Sequence, residues 1–188
     1  MMKIAVVTGS TRPGRSNLAV ARWVSEFASR RTDARYELVD IGEYNLPLLD
    51  EPQPAGTGSP YAHEHTRRWS AKIASFDGYV FVTPEYNHGM SPALKNAIDY
   101  LGAEWSGKAA GFVSYGGAGG ARAAEQLRLV MGSIGIADVS NQVLLSLFTD
   151  FEDFSTFRPD PRHEAELKNL LDQVVQWSGA LQSLRSRT

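Results

Sequence analysis

Short apolar segments alternate along this chain with stretches whose apolar residues recur every three or four positions. Segments 3–8, 35–40, 78–83, 109–114 and 139–143 predict five strands. Ile4-Ala5-Val6-Val7 and Tyr79-Val80-Phe81-Val82 are apolar at every position, as in strands covered on both faces of a parallel sheet. The helical spacing predicts helices at 17–30, 63–75, 91–101, 120–134 and 163–184. The first places Leu18, Ala21, Val24, Phe27 and Ala28 on one face; the last does the same with Leu167, Leu170, Leu171, Val174, Trp177, Leu181 and Leu184. Pro92 suits a first helical turn, where its missing N–H would have no partner. Residues 41–60, rich in Pro and Gly, read as a long surface loop, so residues 1–188 are expected to form one domain.

Strands alternating with helices build a parallel sheet with helices on both faces. Five of them can wind in the flavodoxin-like order 2-1-3-4-5, or as a Rossmann or a P-loop sheet; in each, ligands gather at the carboxyl ends of the strands near the switch point. The order 2-1-3-4-5 makes strands one and three neighbours, which joins the two most informative loops. Loop one, Gly9-Ser10-Thr11-Arg12-Pro13-Gly14-Arg15-Ser16-Asn17, offers hydroxyls, two guanidiniums and an amide just where a helix begins. Helix N-termini attract anions, and arginine forks match phosphate oxygens. Arg15 stands where a P-loop needs Lys, and no G-x-G-x-x-G is present, so a monophosphate cradle fits better than either nucleotide motif. The plainer alternative is a turn capped by Ser16 or Asn17 with solvated arginines. Loop two, Thr83-Pro84-Glu85-Tyr86-Asn87-His88-Gly89, has no cationic Lys or Arg and suits the edge of a flat polar ring; local packing and turn capping are the plainer roles. His88 either lines the substrate face or serves the turn. Loop three, Ser114-Tyr115-Gly116-Gly117-Ala118-Gly119-Gly120, lets backbone pass close to a ligand.

Composition narrows the classes. A net charge of -2 and a pI near 6.1 argue against a nucleic-acid partner and against an electron carrier steered by strong acidity. The absence of Cys excludes thiol redox chemistry and disulfides. No apolar run approaches the roughly 18 residues a membrane span needs, and the start does not read as a signal peptide, so a cytoplasmic protein without a membrane partner is expected. His63 and His65, two apart without a third ligand, read as surface residues, and no metal site is expected. Phe148, Phe151, Phe154 and Phe157 recur every third position after the last strand; they either pack on the domain or cover a neighbouring subunit's site.

Three stretches together resemble the NADPH-dependent FMN reductase family: Gly-Ser-x-Arg-x-x-Arg-Ser-Asn at 9–17, the block from Thr83 to Asp99, and Ser114-Tyr115-Gly116-Gly117. The resemblance spans about residues 3–143, and the family includes FMN, quinone, azo and chromate reductases. It implies a flavodoxin-like doubly wound five-stranded parallel sheet of order 2-1-3-4-5 with helices on both faces. It implies FMN as cofactor, with Ser10, Arg12, Arg15, Ser16 and Asn17 at its phosphate. Pro84, Glu85, Tyr86 and Asn87 would line the isoalloxazine, and Ser114, Gly116 and Gly117 would approach the ring. NADPH or NADH would be the donor, and a quinone or other small molecule the acceptor. No catalytic side chain is implied, because the flavin carries the chemistry. The resemblance, with the Phe-rich segment, implies a homodimer or homotetramer. Ser91 stands where many relatives have Gly, which alters a turn and removes no expected contact. The competing classes are a flavodoxin-type carrier that binds FMN without NAD(P)H turnover, disfavoured by the small net charge, and a P-loop-like nucleotide protein, disfavoured by Arg15.

Overall fold

The computed structural model describes residues 1–185. In chain order the elements are β1 (Met2–Thr8), α1 (Asn17–Ser29), β2 (Ala34–Val39), a 3-10 turn (Ile41–Tyr44), α2 (Glu64–Ala74), β3 (Gly78–Tyr86), β4 (Gly89–Met90) and α3 (Pro92–Asp99). Then come β5 (Ala109–Gly116), α4 (Ala121–Ser133), β6 (Ala137–Ser146), β7 (Phe151–Glu152), β8 (Thr156–Phe157) and α5 (His163–Arg185). The sheet runs β2-β1-β3-β5-β6, all parallel, with the two-residue β4 folded back antiparallel on the end of β3. With β4 set aside this is the expected order 2-1-3-4-5.

Side chains alternate across each strand, so an all-apolar run feeds two cores at once. Ala5, Val7, Tyr79, Phe81, Ala110 and Phe112 face Trp69, Ile73, Leu94, Ile98, Leu127 and Met131, beneath α2, α3 and α4. Ile4, Val6, Val80, Val82, Val113 and Val143 face Val20, Val24, Leu167, Leu170 and Val174, beneath α1 and α5. On α1, Val20 is buried where Leu18 was expected, and on α5 the buried stripe runs from Val174 to Ser178 while Trp177 turns outward.

Strands β3, β5 and β6 each run two or more residues past an expected end. β3 continues through Pro84 because Thr83 and Pro84 stay in register with Ser114 and Tyr115. β6 extends both ways past 139–143; as the edge strand it tolerates Asp138, Ser140 and Asn141, whose polarity hid its ends. The long loop is pinned: Asn96 Nδ2 donates to the Pro47 carbonyl (2.6 Å), and Tyr100 donates to Asp50 Oδ1 (2.8 Å). His63 and His65 contact Asp50 by hydrogen bonds at 3.1 Å, and no group of three His, Cys, Asp or Glu suited to a metal occurs among the described residues. No helix among the described residues is long and apolar enough to cross a membrane.

The Phe-rich segment divides. Phe151 and Phe157 turn inward, with ring centroids 5.6 Å from Tyr115 and 5.7 Å from Trp23 respectively. Phe148 and Phe154 turn outward. Half of this segment therefore has core positions within its own chain. Its anchor is Asp150, fully buried, which accepts from the Ser146 and Asp160 N–H groups (2.8 and 3.0 Å) and pairs with His163 Nε2 at 3.0 Å.

Candidate functional site

Loop one leaves β1 at Gly9, where a Cβ would lie 2.5 Å from the Val82 carbonyl, so only glycine lets it lie against β3. Asn17, the first residue of α1, staples this contact. Its Oδ1 accepts from the Gly9 N–H (2.9 Å) and its Nδ2 donates to the Val82 carbonyl (2.9 Å), all out of solvent. The Asn17 side chain is thus a strut, and its backbone N–H is what it can turn to an anion. Burial pushes the neighbouring Tyr115 hydroxyl up in pKa, against a hydrogen bond from Asn17.

Ser10 Oγ lies 3.1 Å from the Tyr86 hydroxyl and accepts from the Arg12 N–H (3.3 Å). The expected meeting of loops one and two is therefore a direct side-chain contact. Arg12 is exposed, and its guanidinium makes no hydrogen bond or ion pair with any described residue. It borders a cavity of about 630 Å³ with Glu85, Tyr86, Asn87, Met90 and Pro92. The helix that follows starts with Ser16 making no side-chain cap and carries no acidic residue in its first turn. Its first N–H groups and dipole thus face loop one without an internal counter-charge. An unpaired guanidinium beside an uncapped helix start fits a phosphomonoester.

Arg15 is drawn elsewhere. It pairs with Asp40 at the end of β2, whose Oδ1 accepts from Thr8 Oγ1 (2.8 Å) and the Gly42 N–H (3.0 Å). Arg15 thereby lines a second cavity of about 620 Å³ with Thr11, Asp40, Asn45 and Asn96. Ser16 Oγ donates to the Ser155 carbonyl (3.1 Å), which ties loop one to the β7–β8 hairpin.

Loop two turns back through Asn87 and His88, both with positive φ (49° and 67°), the mirror-image turn a two-residue hairpin requires. The Asn87 side chain is exposed at its tip, and Gln126 Nε2 holds the His88 carbonyl from α4 (2.9 Å). Pro84 is buried in β3. Glu85 accepts from the Arg122 N–H (3.1 Å) and from its guanidinium (2.6 Å), so it joins loop two to the start of α4. In loop three, Ser114 Oγ donates to the Gly119 carbonyl (2.9 Å), which closes the turn internally. Gly120 has φ 73°, and a Cβ there would sit 2.6 Å from the Tyr115 nitrogen. Gly116 lies beside Glu85 at the floor, and Gly117 is exposed above it.

The structure thus gathers Ser10, Arg12, Ser16, Pro84, Glu85, Tyr86, Asn87, Gly116 and Gly117 along one sheet edge. Asn17 and Ser114 serve there through the backbone they hold, and Arg15 points to the adjoining cavity. Asp40, Arg122 and Asp150, which position the loops, escape sequence reasoning. Arg122 is 37 residues from Glu85 and carries no local sign of that pairing.

A model of the NADPH-dependent FMN reductase family matches residues 2–150. Over 131 residues the chain is 47% identical to the NAD(P)H-dependent FMN reductase C4B3.06c of Schizosaccharomyces pombe, a match covering 69% of this chain and 66% of that protein. It is 34% identical over 134 residues to the probable NADPH:quinone oxidoreductase 2 of rice, Oryza sativa subsp. japonica, covering 69% and 64%. The matches therefore span about two thirds of these relatives' length. Among solved structures, FerB, a flavoenzyme NAD(P)H:(acceptor) oxidoreductase from Paracoccus denitrificans, superposes with a TM-score of 0.74 at 23% identity, covering 96% of this chain and 98% of that one.

Proposed function

The chain belongs to the NADPH-dependent FMN reductase family, and from that premise we propose that it binds FMN at the three-loop edge and passes electrons from NADPH or NADH to small acceptors, quinones foremost. The observation that carries the reading is the contact of Ser10 with Tyr86 beside the unpaired Arg12 and the uncapped start of α1. Arg12, the Ser10 hydroxyl and the backbone N–H groups from Ser16 into the first turn of α1 would hold the phosphate, while the Ser16 hydroxyl stays on the Ser155 carbonyl. Tyr86, Asn87 and the Gly116–Gly117 backbone would border the ring. When bound, FMN supplies the redox chemistry, accepting a hydride from the nicotinamide and releasing two electrons to the acceptor. The chain's own part is to bind, to orient and to offer backbone N–H groups where negative charge gathers.

Titration with FMN, FAD and riboflavin tests the site. FMN should show saturable fluorescence quenching, and FAD should bind more weakly, because a cradle closed by Pro13 and Gly14 leaves little room for a second phosphate. FAD binding as tight as FMN would sink the assignment of loop one. Oxidation of NADPH by the FMN-loaded protein, with a quinone present, separates a reductase from an electron carrier.

A homodimer or homotetramer completes the proposal, supported by exposed Leu48 and Leu129 (84% and 78%). A monomer in light scattering at micromolar concentration would reject it.

A further inference from the structure

We propose that Phe148 and Phe154 form the aromatic wall of an acceptor subsite, one that takes the flat ring of a quinone-like molecule. The inference rests on the functional reading above and adds residues outside the three loops.

The two rings are 69% and 63% exposed, yet they meet edge to face with centroids 5.6 Å apart. Burial does not explain them, since Phe151 and Phe157 supply the segment's core contacts. Backbone preference does not explain them either. Phe154 has φ 56° and follows Asp153 at φ 49° in the turn between β7 and β8. Such a turn is most relaxed with Gly at its second position, and a bulky side chain is poorly suited to the left-handed region. An exposed aromatic held in an unfavourable backbone region points to a role outside folding.

Its location indicates the role. Phe148 Cε2 lies 3.7 Å from where a Cβ on Gly117 would stand, and the Leu147 N–H donates to the Gly116 carbonyl (3.0 Å). Ser155, next to Phe154, is tied to Ser16 at the start of α1. The pair therefore stands between loop three and the start of α1, along the α1–α5 side of the edge where the ring is proposed to lie. Asp150 holds the base of the segment through buried hydrogen bonds, so the rings project from a fixed support. Two edge-to-face rings recognise flat apolar surface and carry no charge with which to hold a compact anion.

The test compares Phe148→Ala, Phe154→Gly and the double variant with wild type, using menadione as the flat acceptor and ferricyanide as a compact, non-planar one. The ratio of kcat/KM for menadione to that for ferricyanide should fall roughly tenfold in the double variant, mainly through a higher KM for menadione. FMN affinity by fluorescence titration should stay within about twofold of wild type. The urea midpoint of Phe154→Gly should equal or exceed that of wild type, because glycine relaxes the turn. An unchanged acceptor ratio in FMN-loaded variants overturns the subsite alone. A loss of FMN affinity matching the change in KM overturns it in favour of a cofactor contact, and a lowered urea midpoint in both single variants overturns it in favour of a packing role. A wild-type chain that neither binds FMN nor oxidises NADPH overturns the functional reading and the subsite with it.

Discussion

Arg12 and Asn17 sit five positions apart in one loop and do opposite things. Arg12 has no side-chain partner among the described residues to lose, so Arg12→Ala should leave the urea midpoint close to wild type. A hydrogen bond to a charged group contributes about 1.5–3 kcal/mol, so the same change should weaken FMN roughly 10- to 150-fold while riboflavin, without a phosphate, binds both proteins alike. Asn17→Ala should do the reverse at the outset. It strands the buried Gly9 N–H and Val82 carbonyl and should lower the stability of the ligand-free protein by about 2–4 kcal/mol in urea unfolding. Equal loss of riboflavin and FMN in Arg12→Ala would mean that Arg12 shapes the loop. Far from this edge, Lys108 is buried at the start of β5, with Nζ donating to the Tyr79 hydroxyl (2.9 Å) and the Ile73 carbonyl (3.2 Å). Burial, aided by the charge of Arg185, pulls its pKa down to about 8. The folded state therefore releases this proton at lower pH than the unfolded chain, whose lysine titrates near 10.4. Its destabilising effect is complete below pH 8 and fades as the pH rises from 8 towards 10.4. Across that window the urea midpoint of wild type should gain on that of Lys108→Met; a constant gap would contradict the shift.

Among the elements, the stretch from Ser146 to His163 is the most economical in its support. Burial raises the pKa of the Asp150 carboxyl, but the Asp160 and Ser146 N–H groups and His163 outweigh it and hold it below the ordinary carboxylate range. A depressed folded-state value means the stabilisation is present above about pH 4 and is lost as the pH falls through and below it. Asp150→Asn should cost on the order of 3 kcal/mol at pH 7, with a smaller gap to wild type at pH 3.5 by urea unfolding. A gap that widens with acid would overturn this account. The same stretch marks the limit of what the order of residues discloses. Strands such as Ile4–Val7 were legible because burial on both faces leaves no polar position to blur them, and the hydroxyls and guanidiniums of loop one were legible because they lie within nine consecutive residues. Arg15 was misleading for a matching reason: its pull towards Asp40, 25 residues on, is invisible until β2 lies beside β1. The inward turn of Phe151 and Phe157 depends on Tyr115 and Trp23, neither of them near in the chain.

At the scale of the whole molecule, one sheet edge carries all three loops, and a single open ring face there would serve donor and acceptor in turn. Double-reciprocal plots of NADPH oxidation at several quinone concentrations should therefore be parallel; intersecting lines would require both substrates to be held at once. The cross-ties of this edge also bear on when it can exist. Ser10 meets Tyr86, Glu85 meets Arg122, and Ser16 meets Ser155, so its parts are drawn from a span of 145 or more residues. During synthesis the amino-terminal loop emerges first and waits for most of the polypeptide before its wall is built. Flavin capture at the proposed site would thus be a late event in the life of a nascent chain. Ribosome-bound chains stalled before residue 151 should not retain FMN, whereas chains released after α5 should.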